Sequence, residues 1–382
     1  MRAWLAILTG AVAALIWGQS RPPEIPFRKH VVDLGASETC AFADLNGDQR
    51  LDIISGEFWY EAPDWKPQRF REILFTNNYV DNFSDLPLDV DGDGRTDIIS
   101  VSWFRRRITW HRNPGPAGGS WPETVIDSGF PVEFAILADL DNDGGARELL
   151  PQFGQEQAPL VWYSLRGGAF VRHLAFPTSM GHGIGAGDVN RDGRTDILTP
   201  RGWLEAPPDP RSGPWTFHPH FNLGATGFLH VLDVNEDGRP DIVGSMAHDY
   251  GIFWLERRED GSWRKHVIDD SWSQAHALTL ADLNGDGRPE LITGKRYMAH
   301  NGRDPGEREP LGVYWYEYRP TEAGIQWIRH IVDYSTRTGG GMQIPVADLD
   351  GDGDPDFAVA GKSGLFVFEN LSKAPGGTPS GR

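Results

Sequence analysis

Cysteine is almost missing: Cys40 is the single one in 382 residues, so no disulfide can form within the chain. Positive charge is also short. Lys and Arg number 36 against 54 Asp and Glu, a formal net charge of -18, which argues against nucleic acid as a partner. Helical periodicity is absent after residue 20, and so is any apolar run long enough for a membrane span. No serine or cysteine nucleophile motif occurs. These absences exclude a helical bundle, a disulfide scaffold and a multi-span membrane protein.

What is abundant is glycine, proline and tryptophan, at 46, 28 and 15 residues, a composition suited to many short strands, tight turns and large aromatics between sheets. The first 20 residues carry Arg2, an apolar run from Ala3 to Trp17 and a small or polar end at Gly18 to Ser20. This pattern predicts a secretory signal over residues 1–20, and hence an exported, periplasmic or extracellular mature chain with no stable membrane span. An exported chain without disulfides needs another staple, and bound metal is a candidate.

An acidic nonapeptide, D-x-[DN]-x-D-G-x-x-[DE], supplies that metal chemistry. It begins at Asp44, Asp89, Asp139, Asp188, Asp233, Asp282 and Asp348, with spacings of 45, 50, 49, 45, 49 and 66 residues. Side-chain oxygens at positions 1, 3, 5 and 9 of a tight loop select calcium, since hard oxygen donors without His or Cys disfavour zinc. The candidate calcium ligands are Asp44, Asn46, Asp48 and Asp52; Asp89, Asp91, Asp93 and Asp97; Asp139, Asp141, Asp143 and Glu148; Asp188, Asn190, Asp192 and Asp196; Asp233, Asn235, Asp237 and Asp241; Asp282, Asn284, Asp286 and Glu290; and Asp348, Asp350, Asp352 and Asp356. They include 24 carboxylates, and one divalent ion per loop would reduce the net charge of -18 to about -4. The first loop has Gln49 at the glycine position and the third has one extra residue before Glu148.

Each nonapeptide lies between two apolar runs, which read as a hairpin. A third, aromatic-rich run follows, beginning at Phe58, Arg107, Leu160, Gly202, Gly251, Gly312 and Leu365. A fourth run follows six repeats, beginning at Arg69, Glu123, Val171, Thr216, Arg264 and Ile328; the seventh repeat has none, and the missing strand is expected at Arg28 to Asp33. The expected fold is therefore all-β: a seven-bladed propeller of four-stranded blades over residues 27–370, its ring closed by the N-terminal strand completing the last blade. Residues 371–382 read as a disordered tail.

Segments such as ADLNGDGRPELITG and ADLDGDGDPDFAVAG resemble the FG-GAP and VCBS-type repeats of integrin alpha-subunit propellers and of many exported bacterial proteins. The resemblance implies a calcium-binding propeller; the literal FG and GAP signatures are not evident, so integrin-like adhesion is not implied. The chain also resembles, more weakly, the propeller domain of aldos-2-ulose dehydratases, which implies a metal-dependent carbon-oxygen lyase acting on sugars.

Function is expected at the face opposite the acidic loops, where first strands start. Six residues before each repeat stand Glu38, Phe83, Glu133, His182, Gly227, His276 and Met342. Glu38, Glu133, His182 and His276 form a candidate site for one zinc or other transition-metal ion. The 66-residue spacing comes from a loop carrying Lys295, Arg296, Tyr297 and His300 on the same face, with Arg105, Arg106, Arg107, Arg201 and Lys362 in equivalent loops and Trp59, Trp103 and Trp203 in or beside them. Arg105, Arg201, Trp203, Arg296 and Tyr297 are candidate ligand-binding residues, and a basic mouth favours an anionic ligand such as an acidic sugar. Two readings remain open: a non-catalytic propeller that binds a carbohydrate or other surface ligand, and a sugar lyase or dehydratase in which His300 or Lys295 moves a proton. Oligomeric state is not legible.

If the acidic loops hold structural calcium, excess chelator lowers the melting temperature of the purified protein sharply; an unchanged melting temperature contradicts this.

Overall fold

A computed structural model describes residues 21–115 and 119–373; the expected signal segment and most of the expected tail lie outside the described residues. Within them the chain is all strand and turn. Five sheets are four-stranded and antiparallel, one is eight-stranded, and a two-stranded ribbon joins Phe75–Thr76 to Tyr79–Val80. The third strands start where the aromatic runs start, at Phe58, Arg107, Leu160, Gly202 and Gly312, with the other two one residue earlier, at Tyr250 and Gly364. The N-terminal strand Phe27–Asp33 pairs antiparallel with Gly364–Asn370, in one sheet with Asp356–Gly361 and Val346–Ala347.

Seven separate four-stranded sheets were the expectation, and the structure departs from it in the middle of the chain. Ile184–Gly187 and Thr226–Leu232, the first strands of the fourth and fifth repeats, pair in parallel and merge eight strands into one sheet. Glycine is the physical cause. A Cβ at Gly185 would lie 2.0 Å from the Leu229 carbonyl oxygen, and one at Gly187 would lie 2.6 Å from Val231, so only a bare backbone lets the strands approach.

A second departure concerns the first repeat, whose outer strand is Lys66–Arg69 and not the run after Arg69. Arg71 is drawn inward instead. Its guanidinium is buried on the Asp85 carboxylate at 2.8 Å, with Asn82 at 3.0 Å, and a strand that turns in to satisfy that charge cannot continue along the sheet edge.

The first strands converge. Phe42, Leu86, Ile136, Phe228, Leu278 and Val346, from six different repeats, line one cavity of about 420 Å³. Between sheets the packing is aromatic, and outer-strand histidines lie flat on third-strand tryptophans: His173 on Trp162, His218 on Trp203, His266 on Trp254 and His330 on Trp315, with ring centroids 4.2, 4.1, 4.4 and 3.7 Å apart. His218 and His266 are further held by Glu205 and Glu256 at 2.9 and 2.8 Å. The recurrence of histidine on outer strands is thus a packing device.

The acidic loops occupy the hairpins between first and second strands. In each, the position-1 carboxylate accepts backbone N–H bonds from within the loop, as Asp89 does from Gly92, Asp93 and Gly94 at 2.8, 3.1 and 2.9 Å. The position-9 acid behaves differently. Asp52, Asp97, Glu148, Asp196, Asp241, Glu290 and Asp356 are all buried, and each accepts the N–H of the position-2 residue, for example Leu45 to Asp52 at 3.0 Å and Val90 to Asp97 at 3.1 Å. Five also accept an N–H from the end of the third strand, such as Asn113 to Asp97 at 2.7 Å and Asn370 to Asp356 at 2.7 Å. These carboxylates fasten each loop to its sheet. The tail begins in the same way, with Lys373 donating its backbone N–H to Asp354 at 2.8 Å.

Burial first, and neighbouring carboxylates as well, push these buried acids up: Asp52, Asp196 and Asp356 to about 6, Glu148 and Asp241 to about 7, Glu290 to about 8. A carboxyl whose folded pKa lies above its unfolded value holds extra protons in the folded state, so its stabilising contribution is present below the unfolded value and lost as pH rises through the folded one. Metal-free protein is therefore expected to lose stability between pH 5.5 and 8, and added calcium to restore it at pH 8. Denaturant unfolding at the two pH values checks this; metal-free protein that is more stable at pH 8 contradicts it.

Candidate functional site

At the start of the first strands, opposite the acidic loops, four side chains each bring one donor atom within 4.8 Å of the others: Glu133, His182, His248 and His276. His182 precedes Ile184–Gly187, where backbone packing places its Nδ1 2.9 Å from the Thr226 carbonyl oxygen. His248 sits in the turn between Asp241–Met246 and Tyr250–Arg257, its Nδ1 2.7 Å from Asp304 Oδ2. His276 is fully buried, its Nδ1 3.4 Å from the Gln274 carbonyl oxygen.

These partners decide the tautomers. A carbonyl oxygen or a carboxylate only accepts, so each Nδ1 carries a proton and, in the neutral ring, each Nε2 presents a lone pair. His182 Nε2 then lies 2.9 Å from His248 Nε2 and 2.9 Å from Glu133 Oε2. His276 Nε2 is 3.9 Å from Glu133 Oε1, buried and without a hydrogen-bond partner. Lone pairs and a carboxylate facing one another repel unless a proton or a cation stands among them. Three imidazole nitrogens and one carboxylate oxygen, each oriented by an outer partner, fit a first-row transition-metal ion.

Without an ion, the local field favours a proton shared between His182 and Glu133. Burial works against charge on Glu133, yet His182 and Arg296 hold its carboxyl well below the usual range. Burial would lower His182, but Glu133 reverses the sign and raises it. Burial and the neighbouring histidine push His248 down to about 4, and burial with Arg296 keeps His276 far below its ordinary value.

Beside the cluster opens a cleft of about 410 Å³, lined by the polar Glu133, Arg296, His300 and Asp304 and by the aromatic Tyr79, Phe83, Trp103 and Phe104. His300 stacks on His248 with centroids 4.2 Å apart and has Nδ1 3.0 Å from Asp304 Oδ1, so Asp304 holds both histidines. The loop after Lys295 reaches across the cleft, with the Tyr79 hydroxyl donating to the Ala299 carbonyl oxygen and Glu307 accepting the His300 N–H.

Of the residues singled out in the sequence, Glu133, His182 and His276 come together, and Arg296, His300 and Trp103 line the cleft beside them. Glu38 does not join the cluster. Its carboxylate is taken by Arg296 at 2.9 Å and lies 3.9 Å from Lys362; His248 supplies the fourth donor. Lys295 is buried with its ammonium 2.8 Å from Ser273 Oγ, and does not line the cleft. Trp203 is 2 % exposed and packs on His218, so it offers no stacking face. Arg105, Arg201 and Tyr297 lie outside the cleft lining, Arg201 3.9 Å from Glu156 and Tyr297 exposed. Asp304 and His248 were missed, although both lie in the loops between second and third strands that carry the other site residues.

The profile of FG-GAP-like repeats matches residues 89–146 and 233–293. Comparison with curated protein sequences finds no match. Among solved structures, the extracellular domain of a putative hybrid two component system from B. thetaiotaomicron aligns with TM-score 0.53 and 11 % identity, covering 90 % of this chain and 41 % of that one. A lectin from Agrocybe aegerita that recognises non-reducing terminal N-acetylglucosamine aligns with TM-score 0.47 and 16 % identity over 78 % of this chain and 80 % of its own. The V. cholerae biofilm matrix protein Bap1 aligns with TM-score 0.47 and 13 % identity over 91 % and 89 %. The chain spans about two fifths of that extracellular domain's length, and the likeness to aldos-2-ulose dehydratases gains no support from these matches. No helix among the described residues is long and apolar enough to cross a membrane. The chain therefore carries FG-GAP-like repeats in an all-β propeller arrangement.

Proposed function

We propose that this is an exported propeller that binds one transition-metal ion on Glu133, His182, His248 and His276 and uses it to process a hydroxylated, sugar-like compound in the adjoining cleft. The convergence of three Nε2 lone pairs and one carboxylate carries this reading. The eight-stranded sheet then counts as two blades joined edge to edge, giving one blade per repeat, and pairing of Phe27–Asp33 with the last strand closes the ring. Calcium fills several acidic loops, in keeping with the three-carboxylate groups at Asp89, Asp91 and Asp97, at Asp139, Asp141 and Glu148, and at Asp282, Asp286 and Glu290. Residues 1–20 direct export to the periplasm or the exterior.

When bound, the transition metal would act as a Lewis acid on a ligand oxygen. The chain's own groups serve the rest of the chemistry. Arg296 at 3.1 Å holds the Glu133 carboxylate in place, and Asp304 fixes His248. His300 is half-exposed at the cleft, with Nδ1–H directed to Asp304, so Nε2 is free to take a proton from the carbon beside a carbonyl. Loss of hydroxide from the next carbon, leaving as water with that proton, makes the reaction a carbon-oxygen elimination. Tyr79 ties the loop at Ala299 to the cleft wall by its hydroxyl. Simple recognition of a carbohydrate is the second reading, favoured by the aromatic wall of Trp103 and Phe104.

Metal analysis of the purified protein should find about one transition-metal ion in addition to calcium. A His182→Ala, His276→Ala double variant should lose that ion and retain the calcium, while Asp89→Ala should lose calcium alone. Calcium as the single metal in all three proteins overturns the proposal. A retained metal with no conjugated carbonyl absorbance from a panel of keto sugars would leave recognition as the function.

A further inference from the structure

The cleft carries more information about its ligand than the metal cluster does. Three cations stand in or next to the cleft, and two are already engaged. Arg296 is fully committed to Glu38 and Glu133, at 2.9 and 3.1 Å. Lys362 donates to the Met298 carbonyl oxygen at 2.6 Å and stands over the Tyr79 ring at 3.8 Å. Arg303 is the third. It is exposed, lines the cleft and makes no side-chain hydrogen bond or ion pair among the described residues. A long cationic side chain at the rim of a small cleft, in a protein with a net charge of -18, has no shortage of acids to pair with elsewhere. Its position beside the cleft without one is the observation to explain.

Trp103 lines the same cleft. Its orientation is fixed by Gly154, where an added Cβ would lie 2.2 Å from the six-membered ring of the indole. The ring therefore rests on bare backbone, and with Phe104 it gives a cleft that also holds His300, Arg303 and Asp304 an aromatic part of its lining. Aromatic and polar groups in one cleft match a sugar ring, which shows C–H groups on a face and hydroxyls at its edge.

Charge completes the argument and rests on the metal reading above. Arg296, Arg303 and Lys362 stand against Glu38, Glu133, Asp304 and Glu307, one carboxylate in excess. A divalent ion on the four-residue cluster turns that into one positive charge, which a monoanion neutralises.

We propose that the cleft takes a sugar acid, with its ring against Trp103 and its carboxylate on Arg303. Arginine suits this role because its planar fork pairs with a carboxylate through two parallel N–H bonds. A neutral sugar would leave the guanidinium unpaired, and a charge-assisted pair of this kind is worth about tenfold or more in affinity.

The test uses titration calorimetry on the full-length, metal-replete protein with glucuronate, galacturonate, glucose and galactose, and metal content measured on the same samples. At least one uronate should bind about tenfold more tightly than its neutral counterpart. Arg303→Gln should remove that preference without changing metal content, and Trp103→Ala should weaken acidic and neutral sugars alike. Equal binding of neutral and acidic sugars, a preference that survives Arg303→Gln, or no binding of any of the four by metal-replete protein overturns the proposal. Uronate binding that persists, with its preference, in protein found to hold no transition metal would refute the metal reading and keep this one, so the two failures are separable.

Discussion

The buried carboxylate that ends every acidic loop is the interaction on which the rest of the molecule depends. It removes a charge from water, which is costly, and offsets that cost by accepting the position-2 N–H and, in five repeats, an N–H from the end of the third strand. One side chain thereby joins the loop, the hairpin and the next strand. Neighbouring repeats are tied at the same level: Asn113 donates to the Leu45 carbonyl oxygen at 2.8 Å and Asn370 to that of Leu283 at 3.1 Å. The acidic motif is thus scaffold at its ninth position, which is buried, while the first, third and fifth positions are half-buried or exposed.

Rigidity at one end frees the other. With every sheet anchored through its hairpin loop, the loops between second and third strands can differ from repeat to repeat without loss of the fold. Those loops supply His248 and the segment from Lys295 to Leu311, while Glu133, His182 and His276 come from the starts of first strands. Two of the cluster's histidines are positioned by partners from distant parts of the chain, Thr226 for His182 and Asp304 for His248, while His276 is held by Gln274 just before it. Asp304 also holds His300, so a single carboxylate sets both a cluster member and the histidine proposed to move a proton.

The repeating parts were legible because each is written seven times. The aromatic runs mark the third strands to within a residue, since tryptophan and tyrosine at that point fill the space between sheets wherever the repeat occurs. What happens once was harder to read. Gly185 and Gly187 are required by a close approach to Leu229 and Val231 that occurs once in the chain and leaves no repeated mark in the sequence. Arg71 looked like part of an outer strand until its buried partner Asp85, in the following repeat, came into view. At the site, a fixed offset from each repeat picked out Glu133, His182 and His276. It could not find His248, which has no counterpart in other repeats, and it could not tell that Arg296 would claim Glu38.

X-ray absorption spectroscopy at the edge of the transition metal in the purified protein tests the central claim most directly. The account predicts a first shell of three imidazole nitrogens with oxygen from Glu133, and loss of one imidazole contribution in His248→Ala. A first shell made of oxygen alone, or one unchanged in His248→Ala, would contradict it.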